Sequence, residues 1–188
     1  MITAGAGGTG SLGIELAKAW GASQIITSAS GSDSIAFVKS LGATEVVDYK
    51  KQDLFESLQD DSVDVVYDNY GMEGTADKAM RPLRAGGVYL LLPHSKCYET
   101  KVQGPPCLSA HPKKGVSQYN YASSDDFEHN SLAGLNELAE LFSAGKLSAH
   151  IDKSFDLSQA AQAFNYTAGP GAGGVGAHIG KISLKTTN

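Results

Sequence analysis

Short apolar runs alternate along the chain with stretches whose apolar residues recur every three or four positions. Ile2-Thr3-Ala4 is a β-capable stub. Leu12, Leu16, Ala17 and Trp20 then follow at helical spacing, and Gly21 marks a stop. Gln24 to Thr27 reads as a second strand, and 28–33 as a small polar turn. Ile35, Phe37, Val38 and Leu41 predict a helix closed by Gly42. Further strands are expected at Glu45–Asp48, Val63–Tyr67 and Val88–Leu92. A helix is expected over 76–83, a weaker one over 53–58, and a turn at Arg84–Gly87. Residues 93–114 form a long irregular stretch. Beyond it, Val116–Tyr121 alternates like a strand. Leu132, Leu135, Leu138, Leu141 and Phe142 make an amphipathic helix ended by Gly145. Ile151–Phe155 reads as extended, 157–166 as helix, 168–177 as a glycine-rich connector and 179–184 as a last strand.

Strands alternating with helices at this spacing predict βαβ units with right-handed crossovers. The continuous apolar runs suit strands covered on both faces. The expected class is therefore α/β: a doubly wound parallel sheet of about six strands, with a C-terminal helix-and-strand return segment. Residues 1–146 would form the sheet domain, and residues 147–188 the return segment.

Composition narrows the functions. Fifteen Lys and Arg against twenty Asp and Glu give a net charge of −5 over 188 residues. That balance argues against a nucleic-acid or anionic-membrane surface. No apolar run approaches the ~20 residues of a membrane span, and the first residues carry no signal-peptide pattern. A cytoplasmic location is expected. Cys97 and Cys107 lack CxxC spacing, so reduced thiols are expected rather than a zinc site or a disulfide scaffold. The 22 glycines have no strict period and point to tight turns or close approach to a ligand.

Gly5-Ala6-Gly7-Gly8-Thr9-Gly10 fits GxGxxG between a strand stub and an amphipathic helix. In that context the glycines admit a pyrophosphate to the backbone, and the helix N-terminus favours its charge. Rossmann-type dinucleotide binding is the expectation. Gly171–Gly176 repeats the pattern between a helix and a strand, the wrong context, and reads as a connector. NAD-selective sites place an acid roughly 20 residues past the glycines, to hold the ribose 2′-hydroxyl. Here Thr27-Ser28-Ala29-Ser30-Gly31-Ser32 has no carboxylate before Asp33. That predicts preference for NADP(H), with Ser28, Ser30 and Ser32 as hydroxyl donors and Lys39, Lys50 or Lys51 as the missing cation. Asp68 reads as a turn anchor. No Ser-His-Asp, paired-carboxylate or metal constellation is visible, so no catalytic residue and no metal ligand is assigned.

The chain resembles the medium-chain dehydrogenase/reductase superfamily. The resemblance is carried by Ala4–Gly10 with Ala17-Lys18-Ala19 and Gly21-Ala22, by Leu41-Gly42-Ala43 with Val46–Tyr49, and by Val63–Asp68 before Gly71. Leu83–Gly87 and Gly180-Lys181-Ile182 add to it. The glycine motif together with Asp48-Tyr49-Lys50 is most similar to the quinone oxidoreductase, zeta-crystallin-like branch. Departures are Thr9 where valine is usual, the long 93–114 segment, and the Gly171–Gly176 insertion. The resemblance implies that Gly7, Gly8 and Thr9 face the diphosphate. It places Ser28, Ser30 and Ser34 at the adenosine ribose, and Tyr49 beside that end. Asn69 would lie near the cofactor's middle, and Leu92, Pro93 and His94 near the nicotinamide. Family members carry a GroES-like catalytic domain ahead of the first Rossmann strand. The chain begins inside that strand, so it is expected to be a cofactor domain plus return segment, inactive alone. Its apolar residues Phe155, Phe164, Ile179 and Ile182 would then be partly exposed or repacked.

The function implied is NADP(H)-dependent hydride transfer to a quinone or conjugated carbonyl. Two alternatives stay open: a zinc-type alcohol dehydrogenase or enoyl/alkenal reductase of the same superfamily, and a nucleotide-binding redox sensor without catalysis. A homodimer through the edge strand 116–121 is expected, since an unpaired edge is a template for another strand.

Overall fold

The computed structural model describes residues 1–92, 107–120, 127–168 and 178–186. Residue Ile2 forms parallel bridges to both Thr27 and Tyr67 and stands as a one-residue first strand. The elements that follow are α1 (Gly10–Ala19), β1 (Ile26–Ala29), α2 (Ser32–Leu41), β2 (Glu45–Asp48), β3 (Val63–Asp68) and α3 (Thr75–Ala79). After these come β4 (Leu83–Leu91), β5 (Ser117–Asn120), α4 (Phe127–Ser143), β6 (Ile151–Asp156), a 3₁₀ turn at Leu157–Gln159, α5 (Ala160–Ala168) and β7 (Lys181–Lys185). All described strand pairs are parallel.

The stub lies between β1 and β3. The main sheet therefore runs β2-β1-stub-β3-β4-β5, with order reversing at the stub. That is the doubly wound order expected of a Rossmann sheet. Backbone bonds fix the stub on both sides: Ile2 N–H donates to the Ile26 carbonyl at 2.8 Å, and Thr3 N–H to the Tyr67 carbonyl at 3.0 Å. The sheet separates two cores. One face packs Ile2, Ile14, Ile25, Val38 and Leu41 under α1 and α2. The other packs Val47, Leu54, Phe55, Val66, Leu83 and Leu91. Burial of each such side chain stabilises by about 1.5–3 kcal/mol.

Several elements depart from the sequence expectation. β1 starts two residues late and takes in Ser28 and Ala29, both buried. The burial of Ser28 is tolerated because its hydroxyl is bonded, accepting from Ala4 N–H at 3.1 Å. Arg84–Gly87 is not a turn but the start of β4, where Gly86 takes φ 82° and the β3–β4 register shifts. The glycines there serve a bulge. The helix expected over 76–83 ends at Ala79, ahead of Pro82. Residues 53–58 form turns rather than helix. Cys107 is buried and disulfide-bonded, which corrects the reduced-thiol expectation at that residue; Cys97 lies outside the described residues.

The return segment forms its own two-stranded sheet, β6–β7. Phe164 is exposed as expected, and Ile179 and Ile182 are half-buried. Phe155 is buried, repacked within the segment. Its ring packs on Tyr166, with centroids 5.8 Å apart, under the Lys153 ammonium. The segment is also tied to the sheet domain. Glu15 on α1 accepts from Ser148 N–H at 3.1 Å and pairs with His150 Nε2 at 3.0 Å. Gly180 N–H donates to the Ala6 carbonyl at 2.8 Å.

Candidate functional site

In an open parallel sheet, ligands bind beyond the carboxyl ends of the strands where strand order reverses. Here that point is the stub, and the glycine loop leaves directly from it. Ala4 takes φ 48°, a left-handed turn costing about 1–2 kcal/mol in a residue with a Cβ. A Cβ on Gly10 would overlap the Ala4 carbonyl oxygen and stand 2.8 Å from Gly5 Cα, so α1 starts hard against the loop. A Cβ on Gly5 would meet Thr27 Cγ2 at 2.9 Å. Gly7 differs: an added Cβ would meet only the Ala4 carbonyl oxygen, at 3.3 Å. Gly5 and Gly10 thus serve packing, and Gly7 leaves backbone open to a ligand. The cradle fits the diphosphate of a dinucleotide.

The start of α1 suits an anion in two further ways. Thr9 makes no side-chain cap and the first turn holds no acid, so neither competes for its N–H groups. Lys181 from β7 reaches over Gly8: a Cβ on Gly8 would lie 2.5 Å from Lys181 Cγ and 2.9 Å from its Nζ. Gly8, Ser11, Leu12, Phe142, Ala149, His150 and Lys181 line a small cleft there. The sequence motif pointed to Gly8, but nothing local to it pointed to Lys181.

The other expected residues collect along the same sheet edge. Ser30 follows β1, Tyr49 follows β2, Asn69 follows β3 and Leu92 follows β4. Ser28 is buried, and its hydroxyl accepts from Ala4 N–H at 3.1 Å, so it supports the glycine loop from below. Ser34 is half-buried in the first turn of α2, and Tyr49 is exposed. Asn69 Nδ2 donates to the Thr3 carbonyl at 2.5 Å. Pro93 and His94 lie outside the described residues. Among the described residues no three His, Cys, Asp or Glu side chains converge on a metal position, and no helix is long and apolar enough to cross a membrane.

Two carboxylates organise this edge. Asp68 is fully buried. Its Oδ1 accepts from Thr3 Oγ1 at 2.8 Å, Gly71 N–H at 3.0 Å and Tyr70 N–H at 3.1 Å; its Oδ2 accepts from Tyr89 OH at 2.7 Å. It anchors the turn that carries Asn69. Burial, with the Asp68 carboxylate beside it, pushes the Tyr89 hydroxyl well above its ordinary range. Asp48 ends β2. Hydrogen bonding from Ser30 holds its carboxyl below the usual range against the upward push of partial burial, helped by Lys50 N–H and Lys51.

Comparison with known proteins agrees with this architecture. Residues 41–182 match the family described as zinc-binding dehydrogenase. An NADPH-dependent alkenal/one oxidoreductase of Arabidopsis thaliana is 32% identical over 169 residues, 88% of this chain and 36% of that protein. A 2-methylene-furan-3-one reductase of Solanum lycopersicum is 41% identical over 93 residues, 49% of this chain and 22% of that protein. The structure of a quinone oxidoreductase from Coxiella burnetii superposes with TM-score 0.73 at 28% identity, covering 98% of this chain and 51% of that one. The chain thus spans about a third of the Arabidopsis relative and about half of the Coxiella protein.

Proposed function

This chain belongs to the zinc-binding dehydrogenase family of the medium-chain dehydrogenase/reductase superfamily, and on that premise we propose that it binds NADP(H) for hydride transfer to a quinone or conjugated carbonyl. The observation that carries the reading is the glycine loop at the strand-order reversal, closed by Gly10 and open at Gly7. Gly7, Gly8 and Thr9 would hold the diphosphate, with the Lys181 ammonium beside them. Ser30 and Tyr49 would flank the adenosine ribose. Asn69, held by Thr3 and the Asp68 anchor, and Leu92 would meet the nicotinamide half. The cofactor supplies the hydride; the protein binds it, orients it and excludes water. The Arabidopsis relative bears the name of an alkenal/one oxidoreductase, which favours an enone over a simple alcohol as substrate class.

Titration calorimetry with NADPH tests the reading. Saturable binding is expected, weakened about tenfold or more in Gly7→Ala while the melting temperature holds; absence of binding by the wild type overturns it. Quinone- or enone-dependent NADPH consumption by the protein that joins this chain to a substrate-binding domain reads the reaction class.

Residues 147–188 are proposed to pack with a separate substrate-binding domain. Exposed Ile151, Leu157, Phe164 and Leu184 support this as an apolar surface awaiting cover. A cytoplasmic location goes with the reading, although the Arabidopsis relative is named as chloroplastic. The proposed homodimer joins β5 to its symmetry mate: among the described residues β5 ends the sheet, and Tyr119 is half-exposed on it. Light scattering is expected to give twice 19.6 kDa; a monomer mass at high concentration rules the dimer out.

A further inference from the structure

The expected absence of a carboxylate at the end of β1 holds in the sequence, yet the fold supplies one from the neighbouring strand. Asp48 is the Cα partner of Ala29, so the last residue of β2 stands level with the last residue of β1. That is the level at which a dinucleotide-binding sheet meets the adenosine ribose. Ser30 follows Ala29 directly, which sets it beside the Asp48 carboxylate, where it helps hold that group below the usual range. Lys51 Nζ lies 3.4 Å from Asp48 Oδ2, and Lys50 N–H donates to Oδ1 at 3.2 Å. The carboxylate is mostly covered, with 18% of its side chain exposed, whereas Lys51 is 80% exposed. Ser30 and Lys51 are the donor and the cation that a 2′-phosphate would need; Asp48 pairs with Lys51 and stands beside Ser30.

We propose that Asp48 sets coenzyme selectivity, by holding Ser30 and Lys51 and opposing a 2′-phosphate while accepting a ribose 2′-hydroxyl. The proposal rests on the dinucleotide reading given above. In the protein as it stands, NADP(H) must draw Ser30 and Lys51 away from a carboxylate that also repels its phosphate. NAD(H) meets no repulsion and gains an acceptor. The preference for the phosphorylated coenzyme is therefore narrower than the hydroxyl-rich 27–32 segment alone implies. Removing the charge at Asp48 frees both groups and widens that preference.

Calorimetric titration of the wild type, Asp48→Asn and Lys51→Met with NADPH and NADH separates the outcomes. Asp48→Asn is expected to raise the ratio of NADPH to NADH affinity about tenfold, the size of one unscreened charge contact at the surface. Lys51→Met is expected to lower the ratio by several-fold, and it carries the test if Asp48→Asn fails to fold. Both dinucleotides binding with an unchanged ratio in the folded variants overturns the role of Asp48 and leaves the dinucleotide reading standing. Failure of both dinucleotides to bind the wild type overturns both.

Discussion

Gly10→Ala is expected to unfold at a clearly lower urea concentration than the wild type and to bind NADPH about a hundredfold more weakly. The added methyl group has nowhere to go. Its neighbours are the Ala4 carbonyl group and Gly5 Cα, all backbone, and α1 cannot shift without opening the stub that links the halves of the sheet. Such overpacking costs about 1–3 kcal/mol, partly offset by about 1 kcal/mol of helix propensity gained over glycine. The midpoint should move while the slope of the transition stays constant. Gly134→Ala is the matched control: it lies within α4 with nothing within 4 Å of an added Cβ, so the same exchange there is expected to stabilise. A Gly10→Ala protein with wild-type midpoint and affinity would remove the glycine loop from the argument.

Asp68→Ala costs about 3–4 kcal/mol, since it strips a buried carboxylate from the hydroxyls of Thr3 and Tyr89 at once. Tyr89→Phe alone costs about 1 kcal/mol, and the double variant less than the sum, because the two side chains share one bond. The pH dependence has a definite sign. The Tyr89 hydroxyl ionises in the unfolded chain near its ordinary value of 10.0, whereas the folded state holds it higher. Its contribution is therefore complete below pH 10 and lost as the pH rises beyond that. Tyr89→Phe should flatten the alkaline limb of a stability profile, and identical limbs would show the bond to be unimportant. Movement of the Asn69 turn in Asp68→Ala should also weaken NADPH binding, because the same carboxylate accepts from the Tyr70 and Gly71 N–H groups.

The sheet was legible where hydrophobic runs and punctuation agree. Glu45–Asp48 lies where the pattern placed it, and Gly21 and Gly42 follow their helices with φ of 82° and 125°. It was less legible where one signal serves two structures. Gly86-Gly87 reads as a turn in sequence but forms a bulge, because β3 and β5 flank β4 and hold it extended. Ser28 reads as loop because it is polar, yet the Ala4 N–H gives its hydroxyl a buried partner. The glycine cradle was legible because close packing demands glycine at both ends of it, Gly5 against the Thr27 side chain and Gly10 against the Ala4 backbone. Asp48 beside Ser30 and Lys181 over Gly8 were not, since strand register and tertiary closure bring them together across distant sequence. Asp68 was recognisable as a turn anchor, but its bond to Tyr89 needed the β3–β4 pairing to be known.

The bridge between Gly7 and Gly180, and the Lys181 side chain across Gly8, join nearly opposite ends of the sequence. During synthesis the glycine loop emerges long before the strand that covers it. At about 5–20 residues per second the loop waits on the order of ten seconds or more for its cover. Closing so long a loop adds a slow, non-local step after the sheet has formed. The nascent chain thus carries an assembled sheet with an uncovered anion cradle until the strand bearing Lys181 follows.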